Sequence, residues 1–79
     1  MAHTPHELAE EFPADLAKIH TLKGADAHFA RLVDEYHEVN RAVHAAETRL
    51  EAMDEAAEEA LRRKRMALKD EIWKRLQAA

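Results

Sequence analysis

Apolar residues recur every seven positions through the middle of the chain, and this repeat constrains the fold more than any other feature. Two interleaved sets make up what we call the apolar seam: Phe29, Tyr36, Val43 and Leu50, with Leu32, Val39, Ala46 and Met53 three positions after each. This spacing places all of them along one stripe of an α-helix. The seam therefore predicts a helix over about residues 27–52.

The repeat changes phase after Met53. The next apolar positions, with the stem of Arg65 on the same side, are Leu61, Leu68, Ile72 and Leu76. Continuing the first register would instead bury Lys64, Glu71 and Lys74. A turn around residues 52–55 explains the change, with Asp54 capping a second helix over residues 55–77. Two such helices would form an antiparallel, coiled-coil-like hairpin.

A single continuous helix with one skipped residue is the alternative to the hairpin. Residues 51–58 contain neither glycine nor proline, and Ala56, Ala57 and Ala60 favour helix. We favour the hairpin, because a reversal of the chain also brings the two apolar stripes face to face.

A kinked helical segment is predicted ahead of the seam. Thr4 is a suitable N-cap, Pro5 suits the first helical position, and Glu7 completes a capping box, so a helix should begin near residue 5. Pro13 cannot continue that helix and restricts the residue before it. We therefore expect a break at Phe12.

The helical pattern resumes over residues 14–23, and Gly24 follows where a left-handed C-terminal cap would be needed. Asp26 then suits the N-cap of the seam helix. The sequence thus predicts one all-α domain over residues 1–79, in which the kinked segment of residues 5–23 packs against the end of the hairpin.

The residue types present argue against catalysis. The chain has no cysteine and no serine, its hydroxyl groups are three threonines and Tyr36, and there is no glycine-rich phosphate loop. We predict that the protein is not an enzyme and that it uses no cofactor.

Six histidines raise the question of a metal site. His37 and His44 are seven residues apart, about 10.5 Å along a helix, which is too far for one ion. His44 and Glu47 alone do not make a site, and His3 with His6 suits only adventitious metal binding. We predict no metal centre.

Charge divides the chain into two parts. Residues 1–61 hold five basic and fourteen acidic side chains, a charge of −9, whereas residues 62–79 hold seven basic and two acidic, a charge of +5. Four acid–base pairs at spacing four would stabilise the last helix: Glu58 with Arg62, Glu59 with Arg63, Asp70 with Lys74, and Glu71 with Arg75. We favour this salt-bridged interpretation of the basic run over a patch for phosphates or anionic lipid, because an acidic chain repels polyanions.

Three further side chains have two interpretations each. Tyr36 is expected to pack its ring in the seam and direct its hydroxyl to water or a partner. Asn40 lies beside the seam, where it either sets the helix register or is a solvated flank. Trp73 either covers the core of its own bundle or anchors a partner.

Ordered sequence blocks resemble the YdcH-like family of small bacterial proteins. The blocks are His6-Glu7-Leu8 to Glu11-Phe12-Pro13, Ile19-His20 with Leu22-Lys23, Asp26 with His28-Phe29, Tyr36-His37, Lys64-Arg65, and Leu68-Lys69-Asp70-Glu71-Ile72. The resemblance covers about residues 6–76. It implies a helical, coiled-coil-like protein of the bacterial cytoplasm whose function is unknown, and it makes the break at Phe12-Pro13 a family feature.

These patterns predict a protein that acts by binding another protein. Two helices alone would leave much of the seam open, so we expect a homo-oligomer or a docked protein partner to cover it. The residues expected to supply core or interface are Phe29, Leu32, Tyr36, Val39, Leu61, Leu68, Ile72 and Leu76. The alternative is nucleic-acid or ribosome binding by the basic residues of the last helix: Arg62, Arg63, Lys64 and Arg65.

Overall fold

The computed structural model describes residues 6–48 and 53–78, and within those ranges the chain is helical with no strand. The elements are α1 (Leu8–Glu11), a 3₁₀ turn (Pro13–Asp15), α2 (Leu16–Ala25), α3 (Ala27–Glu47) and α4 (Glu55–Ala78). The predicted all-α class is confirmed.

The two long helices, α3 and α4, pack against each other and run antiparallel. Polar contacts show the direction of α4 relative to α3, because successive residues from the start of α3 onward contact successively earlier residues of α4. The contacts are Asp26 with Arg75, Asn40 with Arg65, and Glu47 with Arg62. The predicted hairpin is therefore confirmed, and the continuous helix is excluded.

The helix ends differ in part from the predicted bounds. Helix α3 ends at Glu47, earlier than residue 52, and the Thr48 hydroxyl donates to the His44 carbonyl at 2.8 Å. The predicted end at residue 52 and the seam residue Leu50 lie outside the described residues. Helix α4 begins at Glu55 as expected, because the Asp54 carboxylate accepts a hydrogen bond from the Ala57 amide at 2.8 Å.

The first helix begins later than predicted. Helix α1 starts at Leu8, and Glu7 is its extended N-cap residue, not the third residue of a capping box. His6 has a φ of 62°, a left-handed conformation that a right-handed helix cannot include. Thr4 and Pro5, which were expected to begin this helix, lie outside the described residues. The predicted break at Phe12 is confirmed, since α1 ends there and Pro13 opens the 3₁₀ turn.

The expected role of Gly24 is wrong. Helix α2 continues through it to Ala25, and the glycine does not have a positive φ. The chain instead leaves the helix at Asp26, whose extended backbone, with φ −133° and ψ 106°, needs no glycine. The Asp26 carboxylate caps α3 as predicted, accepting from the amides of His28 at 3.0 Å and Phe29 at 3.2 Å.

The core lies where the N-terminal segment covers the hairpin. Its buried members come from all four helices and the break between α1 and the 3₁₀ turn: Leu8, Phe12, Ile19, Phe29, Leu32, Val33, Tyr36, Ile72 and Leu76. Lys64 and Lys74, which the first register would have buried, are exposed, so the change of phase is real. In α2, Ile19 is buried, whereas Leu16 remains 47% exposed.

Candidate functional site

Described residues of the seam form part of the hydrophobic core of the single chain. Of the eight residues predicted for core or interface, six are buried: Phe29, Leu32, Tyr36, Val39, Ile72 and Leu76. Leu61 and Leu68 are half-buried. The expectation of an open seam is not met in the described part of the chain. Around Phe29, Leu32 and Tyr36 the N-terminal residues Leu8, Phe12 and Ile19 join the same buried cluster.

Asn40 lies inside this core and is completely buried. Its side-chain oxygen accepts a hydrogen bond of 3.0 Å from the Arg65 guanidinium across the hairpin. A buried polar pair of this kind fixes the register of two helices, because any slip would leave polar groups unsatisfied. Of the two interpretations of Asn40, the solvated flank is therefore wrong.

Three polar contacts fasten the N-terminal segment to the hairpin. The Tyr36 hydroxyl donates to the His6 carbonyl at 2.5 Å, His37 Nδ1 lies 2.9 Å from the Glu7 carboxylate, and the Lys69 ammonium donates to the Glu11 carboxylate at 2.9 Å. The hydrogen bond from Lys69 holds the pKa of Glu11 below its usual value. The Tyr36 hydroxyl thus reaches a backbone carbonyl of its own chain.

Burial also changes the acidity of this phenol. Loss of solvent, aided by the negative charge of Glu11, raises the pKa of Tyr36 to about 12 from an ordinary value of 10.0. The folded-state pKa exceeds that of the unfolded chain, so the protonated phenol stabilises the fold below about pH 10. This stabilisation is lost as pH rises from about 10 to about 12.

We expect Tyr36→Phe to remove this part of the alkaline pH dependence. The wild-type free energy of unfolding should fall by about 2 kcal/mol more than that of the variant between pH 10 and pH 12. Denaturant unfolding at stepped pH measures the difference, and because Tyr36 is the single tyrosine, its ultraviolet titration reports the pKa directly. A phenol that titrates near pH 10 in the folded protein would contradict the buried placement.

The basic run of α4 does not form one surface. Consecutive helical residues are about 100° apart, so four in a row are distributed around the helix. Arg62 contacts the carboxylates of Glu47 and Glu58, both at 3.2 Å, and Arg63 contacts Glu59 at 3.4 Å. Three of the four predicted acid–base pairs of α4 are present, the third being Glu71 with Arg75 at 3.6 Å. This arrangement favours the salt-bridged interpretation.

Two large apolar side chains remain exposed on α4. Met66 is 64% exposed and Trp73 is 50% exposed. They are seven residues apart and hence lie on the same flank of the helix, with Lys69 and Asp70 between them. We call this surface, formed by Met66, Lys69, Asp70 and Trp73, the outer flank of α4. Trp73 therefore does not close the core of its own chain.

A cleft of about 250 Å³ lies next to this flank, between the N-terminal segment and α4. It is lined by His6, Glu11, Tyr36, Arg62, Arg65, Met66 and Lys69. Three of the lining residues are cationic and one is a carboxylate. The cleft therefore presents more hydrogen-bond donors than acceptors at its wall.

Sequence reasoning missed both the outer flank and the cleft. The flank could have been found, because Met66 and Trp73 lie seven residues apart and outside the second apolar register of α4. The cleft could not, because it combines residues from the N-terminal segment, α3 and α4 whose proximity depends on the fold-back at Phe12.

The structure brings no metal-binding group together among residues 6–48 and 53–78, where no three His, Asp or Glu side chains converge. His37 lies beside Glu7, and the predicted pair of His3 with His6 includes a residue outside those ranges. The described helices also include none with the length and apolar character needed to cross a bilayer.

Comparison with known proteins identifies one similarity. A family model described as a protein of unknown function, DUF465, matches residues 29–76, which include most of α3 and α4. No curated protein and no solved structure matches the chain.

Proposed function

The chain belongs to the DUF465 family of proteins of unknown function, which includes the YdcH-like proteins, and we propose that it is a non-catalytic interaction module of the bacterial cytoplasm that self-associates through the outer flank of α4. The observation that supports the proposal is the exposure of Met66 and Trp73 on one flank, while the remaining long apolar residues of α4 face its own hairpin. Exposed large apolar side chains at helical spacing are typical of contact surfaces.

The outer flank is complementary to itself. When two α4 helices lie antiparallel about a two-fold axis between positions 69 and 70, Met66 faces Trp73 of the second copy. In the same register Lys69 faces Asp70 of the second copy, so a cation meets a carboxylate. An isologous dimer needs a patch that fits its own two-fold copy, and the spacing and charges of this flank meet that requirement.

The expected affinity follows from the small size of the patch. Covering the exposed half of Trp73 removes roughly 100 Å² of surface from water, worth about 2.5 kcal/mol per chain, and contact with the Met66 sulfur adds to it. One helix crossing buries less than the ~1,200 Å² of a standard interface. Since association itself costs several kcal/mol, we expect a weak dimer with a dissociation constant on the order of 100 µM.

The dimer can be tested by sedimentation equilibrium of the wild type and of Trp73→Gln. The wild type should associate at high micromolar concentration, and the variant should weaken association by about tenfold or more, since it loses the aromatic contact. Leu16→Gln is the matched control, because Leu16 is similarly exposed but lies on α2. A wild type that stays monomeric at millimolar concentration would refute self-association.

The register can be tested by disulfide formation, because the chain has no cysteine of its own. Asp70→Cys places a thiol next to the proposed axis and should form a covalent dimer rapidly under mild oxidation. Asp34→Cys puts the same substitution on an exposed site of α3 and should react much more slowly. Equal rates for the two variants would contradict the proposed contact between α4 helices.

A further inference from the structure

We propose that the cleft between the N-terminal segment and α4 binds a small oxyanion, with Arg65 as its principal ligand. The shared chemistry of such a ligand is a carboxylate or phosphate group that accepts several N–H hydrogen bonds at once. The inference goes beyond self-association and does not depend on it.

Arg65 differs from the other cations of the cleft in its partner. Arg62 and Lys69 each contact carboxylates of the chain, whereas the hydrogen bond of Arg65 goes to the neutral amide oxygen of Asn40. No carboxylate among residues 6–48 and 53–78 lies within ion-pair distance of Arg65. Its charge, half-buried at the cleft wall, is therefore not neutralised by an acid of the described chain.

The donors available for a ligand follow from this pairing. A guanidinium has five N–H donors in a planar fork, and the bond to Asn40 uses one of them. Lys69 lies four residues later on the same face of α4 and uses one of its three donors for Glu11. The two side chains thus offer further charge-assisted hydrogen bonds to one oxyanion held between them.

The other residues that line the cleft, together with its volume, limit which ligands it can bind. The Tyr36 hydroxyl already donates to the His6 carbonyl, so it has no donor left for an anion, and its oxygen accepts only from water. Glu11, which Lys69 already contacts, repels anions, so an oxyanion lies nearer to Arg65 than to Lys69. A volume of about 250 Å³ is below the ~300 Å³ at which sites for drug-sized molecules begin. The ligand must therefore be small, such as inorganic phosphate or a short-chain carboxylate.

The experiment is an NMR titration of the full chain with inorganic phosphate, acetate and succinate at matched ionic strength, with chloride as reference. We expect saturable shifts of the Arg65 guanidinium and of amides in residues 62–69, with a dissociation constant on the order of 1 mM for at least one anion. Saturation by phosphate alone identifies a phosphate ligand, and saturation by acetate or succinate identifies a carboxylate ligand.

Two pairs of variants test the assignment. Arg65→Gln retains a polar N–H group but removes the charge and the guanidinium fork, and it should weaken binding by about tenfold or more. Lys74→Gln makes the same charge change on an exposed site outside the cleft and should leave affinity unchanged. Met66→Glu supplies a carboxylate at the cleft edge and should abolish binding, whereas Met66→Gln should not; both alter an exposed residue, so folding is preserved.

Self-association and anion binding can be tested independently of each other. Trp73→Gln should stay competent for anion binding even where it no longer dimerises, because Trp73 does not line the cleft. Shifts that do not saturate with any of the anions up to a concentration on the order of 10 mM would overturn the proposal. Binding to Arg65→Gln as tight as to the wild type would also overturn it.

Discussion

Ile72→Ala should lower the free energy of unfolding by about 3 to 4 kcal/mol. Ile72 has no exposed surface and packs in the core that the N-terminal segment shares with the hairpin. Truncation removes buried methyl groups and leaves a cavity that the surrounding side chains fill only in part. A domain of this length has a total stability of roughly 4 to 12 kcal/mol, so the variant loses a large part of it.

Met66→Ala is the matched control for this substitution. It also shortens a large apolar side chain of α4, but Met66 is 64% exposed, and the expected change is within about 0.5 kcal/mol. Denaturant unfolding of both variants, at a concentration low enough to keep the chain monomeric, measures the contrast. Similar losses for the two variants would mean that α4 does not pack with Ile72 facing inward.

The second large effect concerns the polar pair inside the core. Asn40→Ala should destabilise the fold by about 2 to 3 kcal/mol, because it removes a hydrogen-bond acceptor for the charged Arg65 and leaves a small cavity beside it. Arg65→Met retains the apolar stem of Arg65 and removes its donors.

A double-mutant cycle isolates the interaction from those side effects. The coupling energy between Asn40→Ala and Arg65→Met should be about 1.5 to 3 kcal/mol, the range for hydrogen bonds to charged groups. Asn40→Ala with Lys64→Met is the control cycle, since Lys64 is the exposed neighbour of Arg65, and its coupling should be near zero. A coupling near zero for the first cycle would show that the pair does not set the register.

The hairpin could be predicted from the sequence, because residues that are buried on one face of a helix recur at regular spacing along the chain. Phe29, Tyr36 and Ile72 are buried in the core, as expected from spacing that places them on the apolar stripe of each helix. Asp26 and Asp54 were also readable, because a capping carboxylate acts on amides two or three residues away. Such local or periodic features need no knowledge of the tertiary fold.

The remaining features depend on contacts between distant residues. Gly24 suits a left-handed cap by propensity, but Asp26 ends the helix in an extended conformation and the glycine is simply helical. The burial of Asn40 depends on Arg65, 25 residues away, and the attachment of His6 depends on Tyr36. The sequence identified Asn40 as a residue that could set the register. Pairings at this separation leave no local pattern, so neither its bond to Arg65 nor the cleft could be predicted.

The fold-back of the N-terminal segment also determines which residues stay exposed for binding. Because the N-terminal segment shares a buried cluster with Phe29 and Tyr36, these two residues are not available to a partner in the folded chain. We therefore propose binding at two other surfaces, the outer flank of α4 for a second copy of the chain and the adjacent cleft for an anion.

The reversal of the chain between α3 and α4 underlies all of these inferences, and a distance measurement between spin labels tests it most directly. Arg31→Cys and Lys74→Cys place labels on exposed sites of α3 and α4, and the chain offers no competing thiol. Doubly labelled protein diluted into unlabelled protein reports the distance within one chain. Antiparallel helices packed about 8 to 10 Å apart predict a distance below about 30 Å between the two labels. A continuous helix would separate the two positions, which are 43 residues apart, by about 65 Å. A measured distance near that value would contradict the hairpin.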